Sequence, residues 1–287
     1  MNAGMLVIWA LQKFGCQEDL TFCGVFDGHG AWGHHVAKMV RNSLPSLLLC
    51  NWQEALALAS VDACKSICHY DIWKESYLRT CKTVDRELEE NRRLDSFHSG
   101  TTALTIVKQG ELMVIANVGD SRAVLATRAE DGRLVPVQLT VDFKPNLPEE
   151  IERITRCNGR VFCLRDEPGV HRVWPPDGKT PGLATSRAFG DCRLKDFGLI
   201  SVPEVCQRRI TSRDQFVVLA TDGVWDAVTN QEAVEIVSSA KDRSKSARRL
   251  VKYAINAWKR KRRGVAVDDC SVICLFFHSS SLSPWKA

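Results

Sequence analysis

The sequence predicts one α+β domain, and three observations carry that prediction. Short runs rich in β-branched and aromatic residues recur along the chain, among them TFCGVFD (21–27), LMVIANV (112–118), QFVVLAT (215–221) and CSVICLFF (270–277). The stretches between them repeat apolar residues at helical spacing. The strand-like runs come from both ends and from the middle, with no internal repeat or low-complexity linker. The 287 residues (1–287) are therefore read as a single domain rather than two.

The elements follow in order. MLVIWAL (5–11) reads as a strand or a buried segment, and TFCGVFD (21–27) is β-rich and ends in glycines. A helix is expected after them, because Trp32, Val36, Met39, Val40 and Leu44 share one face. A second helix is expected over about 70–92, with Trp73, Tyr77, Cys81, Val84 and Leu88 on one side. TTALTIV (101–107), LMVIANV (112–118) and RAVLATR (122–128) are β runs, and the Gly119-Asp120-Ser121 break predicts a hairpin between the last two. LVPVQLT (134–140) is a further strand candidate. Leu147-Pro148 followed by Glu149 and Glu150 marks a helix start. Residues 165–182, RDEPGVHRVWPPDGKTPG, read as a long surface loop or flap. Beyond QFVVLAT, one helix starts near Asn230 and another covers about 244–258, where Ala247, Leu250, Val251, Ala254, Ile255 and Trp258 form a stripe. CSVICLFF closes the fold, and 278–287 read as a tail.

Composition narrows the class. The chain is 45% hydrophobic and 25% charged, as ordinary folded proteins are, and its net charge of +5 permits phosphorylated partners without demanding nucleic acid. The first residues hold an apolar run of about eight, too short to span a bilayer, and without the basic start and cleavage pattern of a signal peptide. No other run is long enough, so no membrane partner is expected. Twelve cysteines lie scattered with no CxxC pair, which argues against structural zinc. They read as reduced core thiols in a reducing compartment. KRKRR (259–263) reads as a solvated basic loop, with a nuclear-localisation signal as the next reading. Location is expected to be cytoplasmic and/or nuclear, nucleic acid is not an expected partner, and the chain is expected to be a monomer.

The chemistry gathers at strand ends. Asp27 (VFDGHG), Asp120 (NVGDSR), Asp191 (AFGDC), Asp222 and Asp226 (ATDGVWD), and Asp268 and Asp269 (AVDDCS) each adjoin an apolar β run. Strands sharing a sheet layer would bring such acids to one rim. Clustered carboxylates resist ionisation unless cations neutralise them, and all-oxygen sites favour hard ions such as Mg²⁺ or Mn²⁺. Two such ions can share a bridging carboxylate and hold a water between them. Gly28 lets a backbone carbonyl approach a metal closely, and His29 would stand beside it to protonate a leaving oxygen. Asp-Gly pairs are also ordinary turn chemistry. Spacing alone leaves both readings open.

The motifs settle on a resemblance. VFDGHG (25–30), SGTTA (99–103), ANVGDSRAVL (116–125), KPNLPEEIERI (144–154), GRVF (159–162), ATSRAFGD (184–191), VPEV (202–205), VLATDGVWD (218–226) and VDDCSVICLF (267–276) stand in one order. On them the chain resembles the metal-dependent serine/threonine protein phosphatases of type 2C, plant members most closely, from about residue 5 to 277. The resemblance implies a four-layer α-β-β-α sandwich of two antiparallel sheets flanked by helices, with a dinuclear centre at one end. It implies Asp27 as the carboxylate bridging two Mg²⁺ or Mn²⁺ ions and Gly28 as the backbone-carbonyl ligand. Asp222 and Asp268 would be ligands of the second ion. Asp120, with Asp226, would hold a third, weaker ion, and His29 would be the general acid. The implied reaction is hydrolysis of phosphoserine and phosphothreonine in proteins, kinases among them, by a water held between the ions.

The resemblance also sets an expectation at the start of the chain. Family members carry a preceding segment with a phosphate-binding arginine and an acidic pair. MNAGMLVIW matches the strand just after that pair, with Asn2-Ala3-Gly4 where the acids belong. Glu18-Asp19 belong to a later loop. The chain is thus expected to be truncated relative to the pattern, and losing one preorganised group of this kind costs about 10²–10³ in rate. That leaves a non-catalytic form, a pseudophosphatase binding a phosphoprotein or kinase, as the alternative reading.

Overall fold

Alternation along two strands shows how the layers stack. On the strand Leu20–Phe26, Phe22 and Phe26 pack with helices while Cys23 and Val25 pack against a second sheet. On the strand Asp214–Ala220, Phe216, Val218 and Ala220 meet other helices while Val217 and Leu219 join the same inter-sheet core. Successive side chains of a strand point to opposite faces. Here both faces are buried, which is why these runs read as continuously apolar.

The structure is a computed structural model and describes residues 7–61, 69–178, 181–261 and 268–277. In chain order the elements are β1 (Val7–Gln12), β2 (Leu20–Phe26), β3 (Gly28–His29), α1 (Gly33–Val61), α2 (His69–Glu90), β4 (Gly100–Thr101), β5 (Ala103–Gln109), β6 (Leu112–Val118), β7 (Arg122–Arg128) and β8 (Leu134–Gln138). Then come α3 (Pro148–Arg156), β9 (Arg160–Cys163), β10 (His171–Trp174), β11 (Phe189–Gly190), α4 (Cys192–Lys195), β12 (Glu204–Arg209), β13 (Asp214–Ala220), α5 (Asp222–Trp225), α6 (Asn230–Ser238), α7 (Ser246–Lys261) and β14 (Val272–Phe276).

Two antiparallel sheets form the centre, in the orders β1-β2-β5-β6-β12 and β14-β13-β7-β8. The outer face of the first is covered by α1 and α2, through Val36, Val40, Leu44, Trp73 and Tyr77. The outer face of the second is covered by α6 and α7, through Val234, Val237, Leu250, Ala254 and Trp258. These four layers are the expected sandwich. α6 starts on a capping box: Thr229 Oγ1 accepts from Glu232 N, and Glu232 Oε2 accepts from Thr229 N at 2.8 Å.

The structure corrects four expectations. The break at Gly119–Ser121 does not close a hairpin: β6 lies in the first sheet and β7 in the second, so the turn carries the chain across the sandwich. The 165–182 stretch is not loop throughout, since β10 pairs with β9 over Arg160–Cys163. Trp32 precedes α1 and is exposed, while the helix runs past Pro45 to Val61. Of the nine free cysteines described, Cys23 and Cys81 are buried and Cys50 is exposed, so core burial does not describe them all. The basic run begins on the last turn of α7; residues 262 and 263 lie outside the described residues, as do residues 2–4 and the tail 278–287. No described helix is long and apolar enough to cross a membrane.

Candidate active site

Asp27 stands at the exit of β2, and its backbone is held from both sides by Thr102. Thr102 N donates to Asp27 O at 2.9 Å, and Asp27 N donates to Thr102 Oγ1 at 3.3 Å. Gly28 and His29 then pair with Gly100 and Thr101, and β11 pairs with the other edge of the same short strand. The first turn of α1 lies directly against Gly28: a Cβ there would sit 2.6 Å from Gly33 C. Glycine is the one residue that fits, and it brings the backbone to the pocket floor.

The pocket has a volume of about 260 Å³. Its lining gathers Asp27, Gly28, His29, Gly30 and Thr102 from the first sheet and its connections, and Asp120 from the crossover between sheets. Asp222, Asp268 and Asp269 come from the second sheet's ends, and Arg172, Leu183, Ala184 and Thr185 from the segment around β10. The strand-end aspartates do converge, with two exceptions. Asp226 is exposed, one helical turn beyond Asp222, and borders a neighbouring groove with Arg122 and Trp225 instead. Asp191 is buried behind the pocket, where its Oδ2 lies 2.5 Å from His29 Nε2.

The electrostatics are those of crowded acids. Burial, and then the charges of Asp222, Asp120, Asp268 and Asp269, hold the Asp27 carboxyl well above the usual carboxylate range. Burial and Asp120 push Asp222 up to about 7, against the opposing pull of Lys144. Lys144 was not singled out as a site residue from the sequence. Its ammonium donates to Asp120 Oδ2 and, at 3.3 Å, to Asp222 Oδ2. Burial opposes its charge, yet these two carboxylates outweigh that and raise its pKa. At His29, burial works against the imidazolium, but Asp191, then Asp120 and Asp222, outweigh it and raise the pKa.

The donor set suits a hard divalent cation. Among the described residues no three His, Cys, Asp or Glu side chains are gathered closely enough to hold an ion as they stand, and Lys144 is bonded to two of the pocket's acids, Asp120 and Asp222. Among the pocket-lining residues described, one buried side-chain atom nevertheless lacks a hydrogen-bond partner, Asp269 Oδ2. An orphaned buried carboxylate oxygen beside four further carboxylates is a costly arrangement without a cation. All-oxygen donors of this type match Mg²⁺ or Mn²⁺.

A second network, also not read from the sequence, fixes the wall. Glu150 is buried and accepts from Arg153 Nη1 and Nη2 at 2.6 Å each, from Arg187 Nη2 at 2.9 Å and from Ser186 Oγ. Phe143 O accepts from Ser186 N, Ser186 Oγ and Thr185 Oγ1, and Arg187 stacks on the Phe143 ring at 3.6 Å. The residue after Phe143 is Lys144 and Thr185 lines the pocket, so this network holds both in place.

This fold is that of a phosphatase family. The chain matches protein phosphatase 2C over residues 1–261 and belongs to that family. It is 62% identical over 98% of its length to probable protein phosphatase 2C 73 of Arabidopsis thaliana, covering 77% of that protein. It is 63% identical over 93% of its length to probable protein phosphatase 2C 48 of Oryza sativa subsp. japonica, covering 78%. In structure it is similar to a serine-threonine phosphatase 2C from Toxoplasma gondii, with a TM-score of 0.83 at 25% identity, covering 97% of this chain and 92% of that one.

Proposed function

We propose that the protein hydrolyses phosphoserine and phosphothreonine in proteins. The observation that supports this most directly is the meeting, in one pocket, of five aspartates with a histidine that Asp191 backs. Asp27, Asp120, Asp222, Asp268 and Asp269, with the Gly28 backbone, would hold the divalent cations. When bound, two Mg²⁺ or Mn²⁺ ions polarise the phosphoryl oxygens and supply a nucleophilic water at neutral pH.

The chain's own groups do the rest. The carboxylates repel a phosphate dianion and so make its binding depend on cations. Asp191 orients the His29 ring and favours its protonated form. In the reaction water oxygen bonds to phosphorus and the phosphorus–oxygen bond to the serine or threonine breaks. His29 gives its proton to the departing oxygen, leaving alcohol and inorganic phosphate. Thr102 fixes Asp27 from behind, and the Glu150 network fixes Thr185 on the facing wall.

The test is phosphate release from a phosphothreonine peptide, in Mn²⁺ or Mg²⁺ against EDTA. Cation-dependent release that Asp27→Ala and Asp222→Ala abolish is the expected result. His29→Ala should slow release chiefly where the leaving group is poor. No release from a folded sample that still binds the peptide would replace this reading with a non-catalytic phosphoprotein-binding one.

A further inference from the structure

One wall of the acidic pocket carries the opposite charge. Among the described residues lining it, Arg172 has the one permanent positive charge. The Lys144 ammonium is already committed to Asp120 and Asp222. Arg172 is delivered by a hydrogen-bonded strand rather than a free loop. It sits on β10 opposite Phe162, and the next residue, Val173, is buried and exchanges backbone bonds of 2.8 and 3.1 Å with Leu183. Trp174 stacks on Phe162 with ring centres 4.7 Å apart, which locks the hairpin further.

The guanidinium is held but not used up. Its Nε and Nη2 donate to one oxygen, Glu167 Oε2, at 3.0 and 2.7 Å, and its Nη1 donates to Gly182 O at 3.1 Å. An arginine has five N–H donors, so these bonds leave donors on its terminal nitrogens. The Glu167 side chain is 42% exposed, and an ion pair so open to water is weak. A phosphate or carboxylate entering the pocket can therefore take the fork, whose planar geometry suits two parallel bonds to an oxyanion.

We propose that Arg172 is a specificity-determining residue that pairs with an oxyanion of the bound substrate. That oxyanion is the phosphoryl group itself or an acidic group beside the phosphorylated residue. The assignment rests on the phosphatase reading and extends it to the group that recognises the substrate.

The experiment compares Arg172→Gln, Arg172→Lys and Glu167→Gln in the full chain with Mn²⁺. The substrates are p-nitrophenyl phosphate and two phosphothreonine peptides, one with neutral and one with acidic flanks. Binding of hydrolysis-resistant phosphonate versions of both peptides is measured by fluorescence anisotropy. Arg172→Gln is expected to weaken analogue binding about tenfold or more, the scale of a lost charged hydrogen bond. Arg172→Lys should recover part of that, and Glu167→Gln should keep full affinity. Similar losses in kcat/KM on all three substrates place the contact on the phosphoryl group. A loss confined to the acid-flanked peptide places it on the neighbouring acid.

Binding and turnover by Arg172→Gln within twofold of the unsubstituted chain would overturn the proposal. So would a loss in Glu167→Gln equal to that in Arg172→Gln, which would make the pair a staple of the hairpin. Failure of the unsubstituted chain to bind either analogue would overturn it too. Absence of turnover with analogue binding intact would instead count against the catalytic reading, and the binding data would still decide the role of Arg172.

Discussion

His29 Nε2 and Asp191 Oδ2 are 2.5 Å apart, and the glycine between their strands makes that contact possible. Gly100 of β4 pairs with His29 on one side and Gly190 on the other. A Cβ on Gly100 would overlap Asp191 Oδ2 and come within 2.7 Å of His29 Nε2. Asp191 itself holds a left-handed backbone, φ 47°, which costs energy in any residue but glycine and is tolerated best by Asp and Asn. Asp191→Asn should therefore fold, keep the Asp191 N to Ser99 O bond, and lose the charge that favours the imidazolium. Its expected effect is up to about 10²-fold slower turnover of a phosphothreonine peptide, the scale of general-acid assistance. An aryl phosphate, whose leaving group needs no proton, should lose much less. Equal losses on both would remove Asp191 from the proton transfer.

Gly100→Ala tests the same contact sterically. The methyl group must displace either the imidazole or the carboxylate, and overpacking of this kind costs about 1–3 kcal/mol. The expected outcome is a modest drop in denaturation midpoint and a loss of peptide turnover as large as that of Asp191→Asn. A variant that unfolds at a lower denaturant concentration but keeps full turnover would separate Gly100 from the pair.

Lys144 bridges the acids that cations would otherwise neutralise. Without its charge, Asp120 and Asp222 face each other in a part-buried pocket, and Asp222 loses the opposite charge that pulls its pKa down. Lys144→Met is expected to lower the melting temperature in EDTA by several degrees. The rise on adding Mn²⁺ should be larger than in the unsubstituted protein. Thermal shift with and without the cation reads both quantities. An unchanged melting temperature in EDTA would mean that the ammonium does not hold the acids.

The layers are legible because their inner strands are buried on both faces: β2, β6 and β13 fall on continuous apolar runs, and β14 falls on one as well although only its Val272 is fully buried. β9 and β10 do not read as strands because each has only four residues, and β12 does not because its six residues, EVCQRR, are mostly polar or charged and none is buried. The turn at Gly119–Ser121 misled for a different reason. Turn chemistry is local, whereas the choice between pairing β7 with β6 and sending it to the other sheet rests on which apolar faces need covering. The aspartates showed themselves through their place at strand ends. The His29–Asp191 contact did not, because it spans 162 positions and is assembled through β3, β4 and β11. Lys144, beside a proline and ahead of a helix, looks like any surface lysine until Asp120 and Asp222 are seen beneath it.

Glu150 offers a test of stability that leaves the pocket's acids alone. Its carboxylate is buried, and burial alone would raise its pKa, but Arg153, Arg187 and Ser186 outweigh this and hold it at about 2, against an ordinary 4.5. A carboxyl whose pKa is depressed by folding adds stability above its unfolded pKa and loses it as the pH falls through the folded value. The Glu150 contribution should thus be complete above about pH 4.5 and fade between there and about pH 2. Glu150→Gln leaves two part-buried guanidinium groups without their charge partner, which costs about 3–5 kcal/mol near neutral pH. Urea unfolding at a series of pH values should show that gap at pH 7 and its narrowing as the pH falls below about 4.5, where the unsubstituted protein loses what the variant never had. Curves that stay parallel down to the acid limit would show that Glu150 is not held ionised by its arginines.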